Sequence, residues 1–289
     1  MKNSLPIRHL PANTLGKDYV VGDLHGCFQL LEKLLRQVGF NSRHDRLFSV
    51  GDMIDRGPEP LRCLNLLKEP WFFAVMGNHE FMMLDFFRDY LHTGRLPDLE
   101  DQEGSGFLAY GGSWVSEYFD QTRQGMSDEF NRILPFVLDL PLIWIVGENQ
   151  SRFHVLHAEL VKSEGNSQQP DVWLNTDIDG WLTEHSLPAN VQEKVLWGRS
   201  LMSAKSNGFV KMDIEQPGLS KTFCGHTFAS RTRQVLSHIC VDTGAYTYLY
   251  ANAEMTSSHG LTLFDVQDSR WYLACQGNPE IQEGVFIPA

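Results

Sequence analysis

Along the N-terminal third of the chain the apolar positions keep one rhythm: a short run, a polar turn with glycine, then apolar residues at helical spacing. The run "DYVV" leads into "GDLHG", after which Phe28, Leu31, Leu34, Leu35 and Val38 recur and Gly39 closes the pattern. This spacing predicts a strand followed by an amphipathic helix. "DRLFSV" leads into "GDMIDRG", and Pro58 and Pro60 mark the start of a second helix bearing Leu61, Leu64, Leu66 and Leu67. The third unit runs from "WFFAV" through "MGNHE" into a single helix over "EFMMLDFFRDYLHTG", with Phe81, Leu84, Phe87 and Leu91 as its core stripe. Gly77 is expected to supply the sharp turn, and Glu80 sits in the first helical turn, where negative charge is favourable. Strands alternating with helices predict βαβ units and an α/β sheet covered on both faces.

After Gly94 the rhythm breaks. Residues 94–113 are rich in glycine and acid and read as a surface loop. Residues 127–138 read as a helix capped by Ser127. "LPLIWIV" and "RFHVLHAEL" predict a strand pair around the turn "GENQS". Residues 162–192 are polar and irregular; their tryptophans, Trp173 and Trp181, suit either a substrate groove or the filling of a sheet edge. The last third predicts strands at "KTFCGHT", "SHICVDTGA", "LTLFDV" and "RWYLAC". No repeat, heptad pattern or Pro/Ser-rich linker divides the 289 residues, so one domain over 1–289 is the simplest expectation.

Composition narrows the function classes. A net charge of −12 leaves no surplus of Lys and Arg to neutralise phosphates, which argues against a nucleic-acid or anionic-membrane binder. Five cysteines are scattered and never form a C-x-x-C pair, the pattern of reduced, buried thiols in a cytoplasmic protein. The N-terminal stretch "MKNSLPIRHLPANTLG" has no apolar signal-like core, and "LPLIWIV" is far too short to span a bilayer. A soluble cytoplasmic protein is expected.

Asp23, His25, Asp52 and Asn78 each fall just past the carboxyl end of a predicted strand, the edge where ligands bind in open α/β sheets. His157 and His226 end two later strands in the same way. Side chains alternate along a strand, so His154 and His157 face opposite sides, and His157, at the strand end, is the better candidate. Carboxylate, amide and imidazole together suit manganese, iron or zinc better than calcium or magnesium alone. Six ligands exceed what one catalytic metal would use, so two divalent ions bridged by Asp52 fit better. Cys27 is nearby but reads as a small buried residue at a helix start. Arg56 offers a fork matched to phosphate oxygens, and His79 could act as a general acid if Asp55 orients it. Metals that generate hydroxide at neutral pH, an arginine and a His–Asp dyad are what in-line phosphate ester hydrolysis needs.

"GDLHG", "GDMIDRG" and "GNHE", in this order, resemble the three signatures of the phosphoprotein phosphatase (PPP) family of metallophosphoesterases. "LHAEL" at His157, "LWGRS" at Arg199, "GHT" at His226 and "VDTGAY" extend the resemblance over roughly residues 18–275. It implies an αββα sandwich of two mixed β-sheets flanked by helices. It further implies that Asp23, His25 and Asp52 hold a first metal, and Asp52, Asn78, His157 and His226 a second. Manganese is the expected ion, with iron or zinc as alternatives. Arg56 and Arg199 would clamp the phosphate beside Asn78 and His79, and His79, oriented by Asp55, would protonate the leaving group. Tyr246 lies where some members place an active-site tyrosine. Met76 stands where eukaryotic members carry arginine, and Glu159 where they carry glycine, which points to the bacterial and phage branch.

The expected substrates are phosphoserine and phosphothreonine in proteins or peptides, and small phosphate esters besides. Residues 94–130 and 162–192 would shape the groove. Two alternatives stay open: hydrolysis of dinucleoside polyphosphates such as diadenosine tetraphosphate, whose enzymes typically lack the aspartate of "DRG", and a non-catalytic binding protein on the same fold.

Overall fold

Every residue of the run Asp18–Val21 is buried, so the strand it forms must be covered on both faces. A computed structural model describes residues 5–97, 106–120, 122, 124–162, 172–206, 218–249 and 258–287, and shows what covers it. The strands of the first half are β1 (Ile7–Leu10), β2 (Asp18–Val21), β3 (Arg46–Ser49), β4 (Phe72–Ala74), the two-residue β5 (Phe119–Asp120) and β6 (Gly125–Met126), and β7 (Ile143–Val146). Those of the second half are β8 (Phe153–Leu156), β9 (Lys221–Cys224), β10 (Arg233–Val235), β11 (His238–Cys240), β12 (Leu261–Asp265), β13 (Arg270–Ala274) and β14 (Ile281–Val285). The helices are α1 (Phe28–Gln37), α2 (Pro60–Asn65), α3 (Asn78–Phe86), α4 (Arg88–Thr93), α5 (Asp128–Leu138), α6 (Asn175–Glu184), α7 (Ala189–Trp197) and α8 (Ser200–Ser206).

Two six-stranded mixed sheets result, in the orders β14-β13-β12-β2-β3-β4 and β1-β7-β8-β9-β11-β10. The βαβ units place β2, β3 and β4 parallel, as the alternating pattern requires, and β8, β9 and β11 are parallel in the second sheet. Val20, Phe48 and Val75 from one sheet meet Trp144, Val155 and Phe223 from the other in a shared apolar layer. The outer face of the first sheet packs Leu31, Leu34, Leu64 and Phe130 from the helices, and that of the second packs Ile178, Val191 and Val195. The architecture is the expected αββα sandwich. β2 and β3 are further locked by a fork in which Arg46 donates to both oxygens of buried Asp18, at 2.7 and 2.8 Å.

Several local expectations are corrected. The third helix is two: α3 ends at Phe86, the ring of Phe87 at the junction is fully buried against Phe86 and Phe130, and α4 restarts beyond it. Phe81 is 45% exposed and leaves the core stripe, because the inward face of α3 begins with the polar residues Asn78, His79 and Glu80. The stretch 162–192, read as irregular, contains α6 and the start of α7. Trp173 and Trp181 stack edge to face at 5.0 Å and fill that side of the sandwich. β1, β10 and β14, which the pattern did not reveal, are all edge strands, where one flank has no partner and the apolar signal is weak. Much of the acidic loop, 98–105, and the segment 163–171 lie outside the described residues. Among the described residues no helix is long and apolar enough to cross a membrane.

Two imidazoles are buried in the second sheet. Arg152 Nε donates to His154 Nε2 at 3.0 Å, and the Leu160 N–H donates to His238 Nε2 at 3.1 Å, so both rings are held neutral. Burial pulls each to a pKa of about 3, against an ordinary 6.5. As pH falls from 6.5 towards 3 the unfolded chain binds protons that the folded chain refuses. Stability should therefore drop by about 1.4 kcal/mol per pH unit for each ring. Between about pH 6 and 5, urea unfolding of the wild type should depend on pH more steeply than that of His154→Gln, by one ring's share; equal slopes in the two would argue against neutral burial.

Candidate active site

Strands from both sheets end at one place. The carboxyl ends of β2, β3 and β4 lead to Asp23, Asp52 and Asn78, and those of β8, β9 and β11 lead to His157, His226 and Asp242. The connecting turns are tight enough to hold five non-glycine site residues in the left-handed region: His25 (φ 40°), Asp52 (48°), Asp55 (69°), Arg56 (67°) and His226 (65°). Such conformations cost roughly 1–3 kcal/mol each and persist only where the surroundings over-determine them.

What these turns bring together is a set of acceptors. His157 Nδ1 donates to the Val50 carbonyl at 2.8 Å, which leaves Nε2 as a lone pair. That nitrogen lies 2.8 Å from Asn78 Oδ1, 3.1 Å from His226 Nδ1 and 3.5 Å from Asp52 Oδ1. His25 Nδ1 likewise donates to the Ile54 carbonyl at 2.8 Å, and its Nε2 faces the other oxygen of Asp52 at 3.6 Å. A proton could relieve the crowding, but burial lowers the pKa of His157 and His25, and that of His226 to about 2. Burial alone would raise Asp52, yet the net shift is downward, because a proton entering the cluster sits on one of the four surrounding rings and leaves the carboxylate charged. Buried lone pairs that resist protonation call for a cation, and neutral imidazole, amide and carboxylate oxygen suit a borderline divalent metal. Two trios, His25–Asp52–His79 and Asp52–His157–His226, have ligand atoms close enough to share an ion, and Asp52 belongs to both.

One member of the first trio, His79, also belongs to a hydrogen-bonded dyad. Asp55 is fully buried and its Oδ2 accepts from His79 Nδ1 at 2.5 Å. Burial pulls the His79 pKa down, but Asp52 and Asp55 overcome it and the net shift is upward. Arg56 donates to His79 Nε2 at 3.0 Å and to His25 Nε2 at 2.8 Å, while its guanidinium stacks on Tyr246, 4.2 Å from the ring centre. Arg199 sits at the other trio, donating to the His226 carbonyl at 3.1 Å. One arginine thus flanks each trio. An acceptor cluster between two arginines, with an imidazole whose pKa is raised alongside, can bind a phosphate ester and, once Arg56 turns its donor from Nε2 and that nitrogen takes up a proton, protonate a leaving oxygen.

The sequence-derived candidates fare unequally. His25, Asp52, Asn78, His157 and His226 converge as expected, and Asp55, His79, Arg56, Arg199 and Tyr246 surround them. Asp23 differs: its oxygens accept from the His226 N–H at 3.0 and 3.2 Å, and it belongs to neither trio. Gly77 has φ −89°, open to any residue; glycine is required there because a Cβ would lie 2.2 Å from Asp52 Oδ1. Other contributors went unread. Glu80 accepts from the backbone N–H groups of Asp52 (2.9 Å), Met53 (2.7 Å) and Gly77 (3.0 Å), fixing two ligand loops at once. Glu159 accepts from Leu201 and Met202 N–H and from Ser200, tying down the segment that carries Arg199. Asp242, buried beside Asp23, has its carboxyl pushed up to about 6. Trp114 donates its indole N–H to Asp55 Oδ1 at 2.7 Å. Glu80 closes "GNHE", Glu159 lies in "LHAEL" and Asp242 in "VDTGAY", so the sequence marks these three positions without their contacts, whereas Trp114 lies in no motif.

Residues 19–229 match the family model described as calcineurin-like phosphoesterase. Serine/threonine-protein phosphatase 2 of Salmonella typhimurium is 31% identical over 229 residues, 79% of this chain and 87% of that protein. A symmetrical bis(5'-nucleosyl)-tetraphosphatase of Actinobacillus pleuropneumoniae is 47% identical over 68 residues, only 23% of this chain and 25% of that one. A crystal structure provisionally named as a diadenosine tetraphosphatase superposes with a TM-score of 0.50 at 18% identity, covering 96% of each chain, and shows the shared fold.

Replacing Glu80 by glutamine tests how the loops are held. The amide leaves one oxygen where two oxygens serve three N–H groups, and its NH2 would oppose a donor. Glu80→Gln should lose about 2 kcal/mol in urea unfolding with EDTA present; unchanged stability would show that the carboxylate does not hold the loops.

Proposed function

The chain belongs to the calcineurin-like phosphoesterase family, and on that premise we propose that it is a phosphoprotein phosphatase hydrolysing phosphoserine and phosphothreonine in proteins. The observation that carries this reading is the acceptor cluster set beside the Asp55–His79 dyad, with Arg56 at one end and Arg199 at the other. In the proposed assignment His25 and Asp52 would hold one divalent ion, joined by Asp23 once its carboxylate turns from the His226 N–H, and Asp52, Asn78, His157 and His226 would hold the second, with manganese in both. Bound there, the ions supply a water acid enough to ionise near neutral pH and positive charge to offset the phosphoryl oxygens.

The chain's own residues do the rest. Arg56 and Arg199 bind the phosphoryl group, Arg56 turning the donors now spent on His25 and His79 towards phosphate oxygens. Its stacking on Tyr246 supports the guanidinium from below while it does so. His79 gives the proton at Nε2 to the leaving serine or threonine oxygen, and Asp55 keeps Nδ1–H in place and favours the imidazolium. Asn78 supplies an uncharged oxygen where another carboxylate would repel the substrate. Five free, buried thiols support a cytoplasmic setting.

The test is a metal-titrated panel. EDTA should abolish turnover and manganese restore it, with a phosphoserine peptide as substrate. His157→Ala should lose metal-dependent stabilisation, read as a missing rise in the urea midpoint; wild-type stabilisation in that variant would overturn the assignment. The local likeness to a tetraphosphatase supports a second reading, and faster turnover of diadenosine tetraphosphate than of the peptide would favour it. Failure to bind any divalent ion would favour a non-catalytic binding protein.

A further inference from the structure

Asp55 has two oxygens, and both are spoken for. Oδ2 takes the His79 Nδ1 proton, and Oδ1 takes the Trp114 indole N–H, across 59 positions of sequence. Asp55 is fully buried, so bulk solvent does not reach its oxygens to replace either donor. Trp114 belongs to the 3-10 helix Gly112–Tyr118, and its ring is gripped by Tyr118 at 5.8 Å and by Phe130 of α5 at 6.0 Å. The turn before it is seated on the neighbouring residue of the same motif: a Cβ at Gly111, whose φ is 109°, would lie 2.9 Å from the Arg56 backbone nitrogen. This segment therefore touches Asp55 by its side chain and Arg56 by its backbone.

We propose that Trp114 is a positioning residue for the leaving-group acid, acting through Asp55 on His79. This rests on the reading of His79 as the acid. With its second oxygen anchored by the indole, the Asp55 carboxylate cannot rotate away, and its Oδ2 stays aligned with Nδ1–H. His79 Nε2 is then aimed at the leaving oxygen. Without the N–H, an unsatisfied buried oxygen drives the carboxylate to reorient, and the imidazole loses its alignment. The cost falls only on substrates whose leaving oxygen needs a proton.

The test is Trp114→Phe, which keeps a ring against Tyr118 and Phe130 but lacks the donor. In the manganese-loaded enzyme, kcat for a phosphoserine peptide should fall about tenfold, the worth of one hydrogen bond to a charged group. KM should stay unchanged, and kcat for 2,4-dinitrophenyl phosphate should stay within about twofold, since that leaving group departs without a proton. Equal losses on both substrates, or no loss on either, would overturn the inference. His79→Asn is measured in parallel. If it discriminates between the two substrates and Trp114→Phe does not, the inference fails alone; if His79→Asn does not discriminate, the acid reading fails and the inference with it. A readout independent of activity comes from the indole N–H resonance in 15N-labelled protein. The Trp114 signal should lie downfield, exchange slowly and move upfield in Asp55→Asn; a signal indifferent to Asp55→Asn would overturn the inference even where Trp114→Phe does not fold.

Discussion

The central constraint on this molecule is the crowding of lone pairs around Asp52. Two oxygens and several imidazole nitrogens face one another at close range, buried away from water and, by virtue of that burial, unwilling to take up protons. Left alone, such a cluster would push apart. The surrounding structure resists this with devices that make sense only together: left-handed turns at the ligands, a glycine where a methyl would collide with Asp52, and Glu80 gathering three N–H groups from two loops. Each carries its own cost in strain or desolvation, and together they hold open a space that favours positive charge.

The two sheets divide the labour. The first delivers the oxygen donors, His25 and the dyad from β2, β3 and β4, and the second delivers His157 and His226 from β8 and β9. Neither sheet alone gathers the full set, so the site depends on how the sheets face each other. Phe48, Phe153 and Phe223 fix that relation from within, as a train of edge-to-face rings in the shared layer. A loss of packing there would be felt at the site as misregistry between the first trio and the second.

Much of this was legible in the sequence, and the limit has a physical origin. "GDLHG", "GDMIDRG" and "GNHE" are short because a strand end, a tight turn and a ligand are local events, so they can be read without knowing the rest of the fold. His157 could be separated from His154 by strand alternation, and His154 is indeed buried in the sheet with its own partners. Periodicity failed at Phe81 because it assumes that the inward face of a helix is apolar, whereas the first turn of α3 points into the site. Glu80 and Glu159 carry motif signals, one as a first-turn acid and one as a branch marker, but their work of holding loops is hidden because most of their partners are backbone N–H groups, which leave no trace in composition. Trp114 was hidden for a different reason: its partner is far away in sequence, and a tryptophan in an irregular segment usually signals packing.

The choice of neutral donors at the centre also shapes how substrate arrives. The protein as a whole carries a charge of −12 and repels anions at a distance. Imidazoles and an amide would cancel none of the charge of two divalent ions; Asp23 and Asp52 would offset only part of it, and two arginines add to the remainder, so the sign of the field inverts over the last few ångströms. Beyond a Debye length of about 8 Å in physiological salt the outer repulsion is largely masked, whereas the inner attraction acts at contact and is not. Capture of a phosphate thus works at short range, with no long-range steering to draw in bulk polyanions, and a compact dianion presented on a neutral or basic stretch of chain is the form of phosphate least hindered on approach.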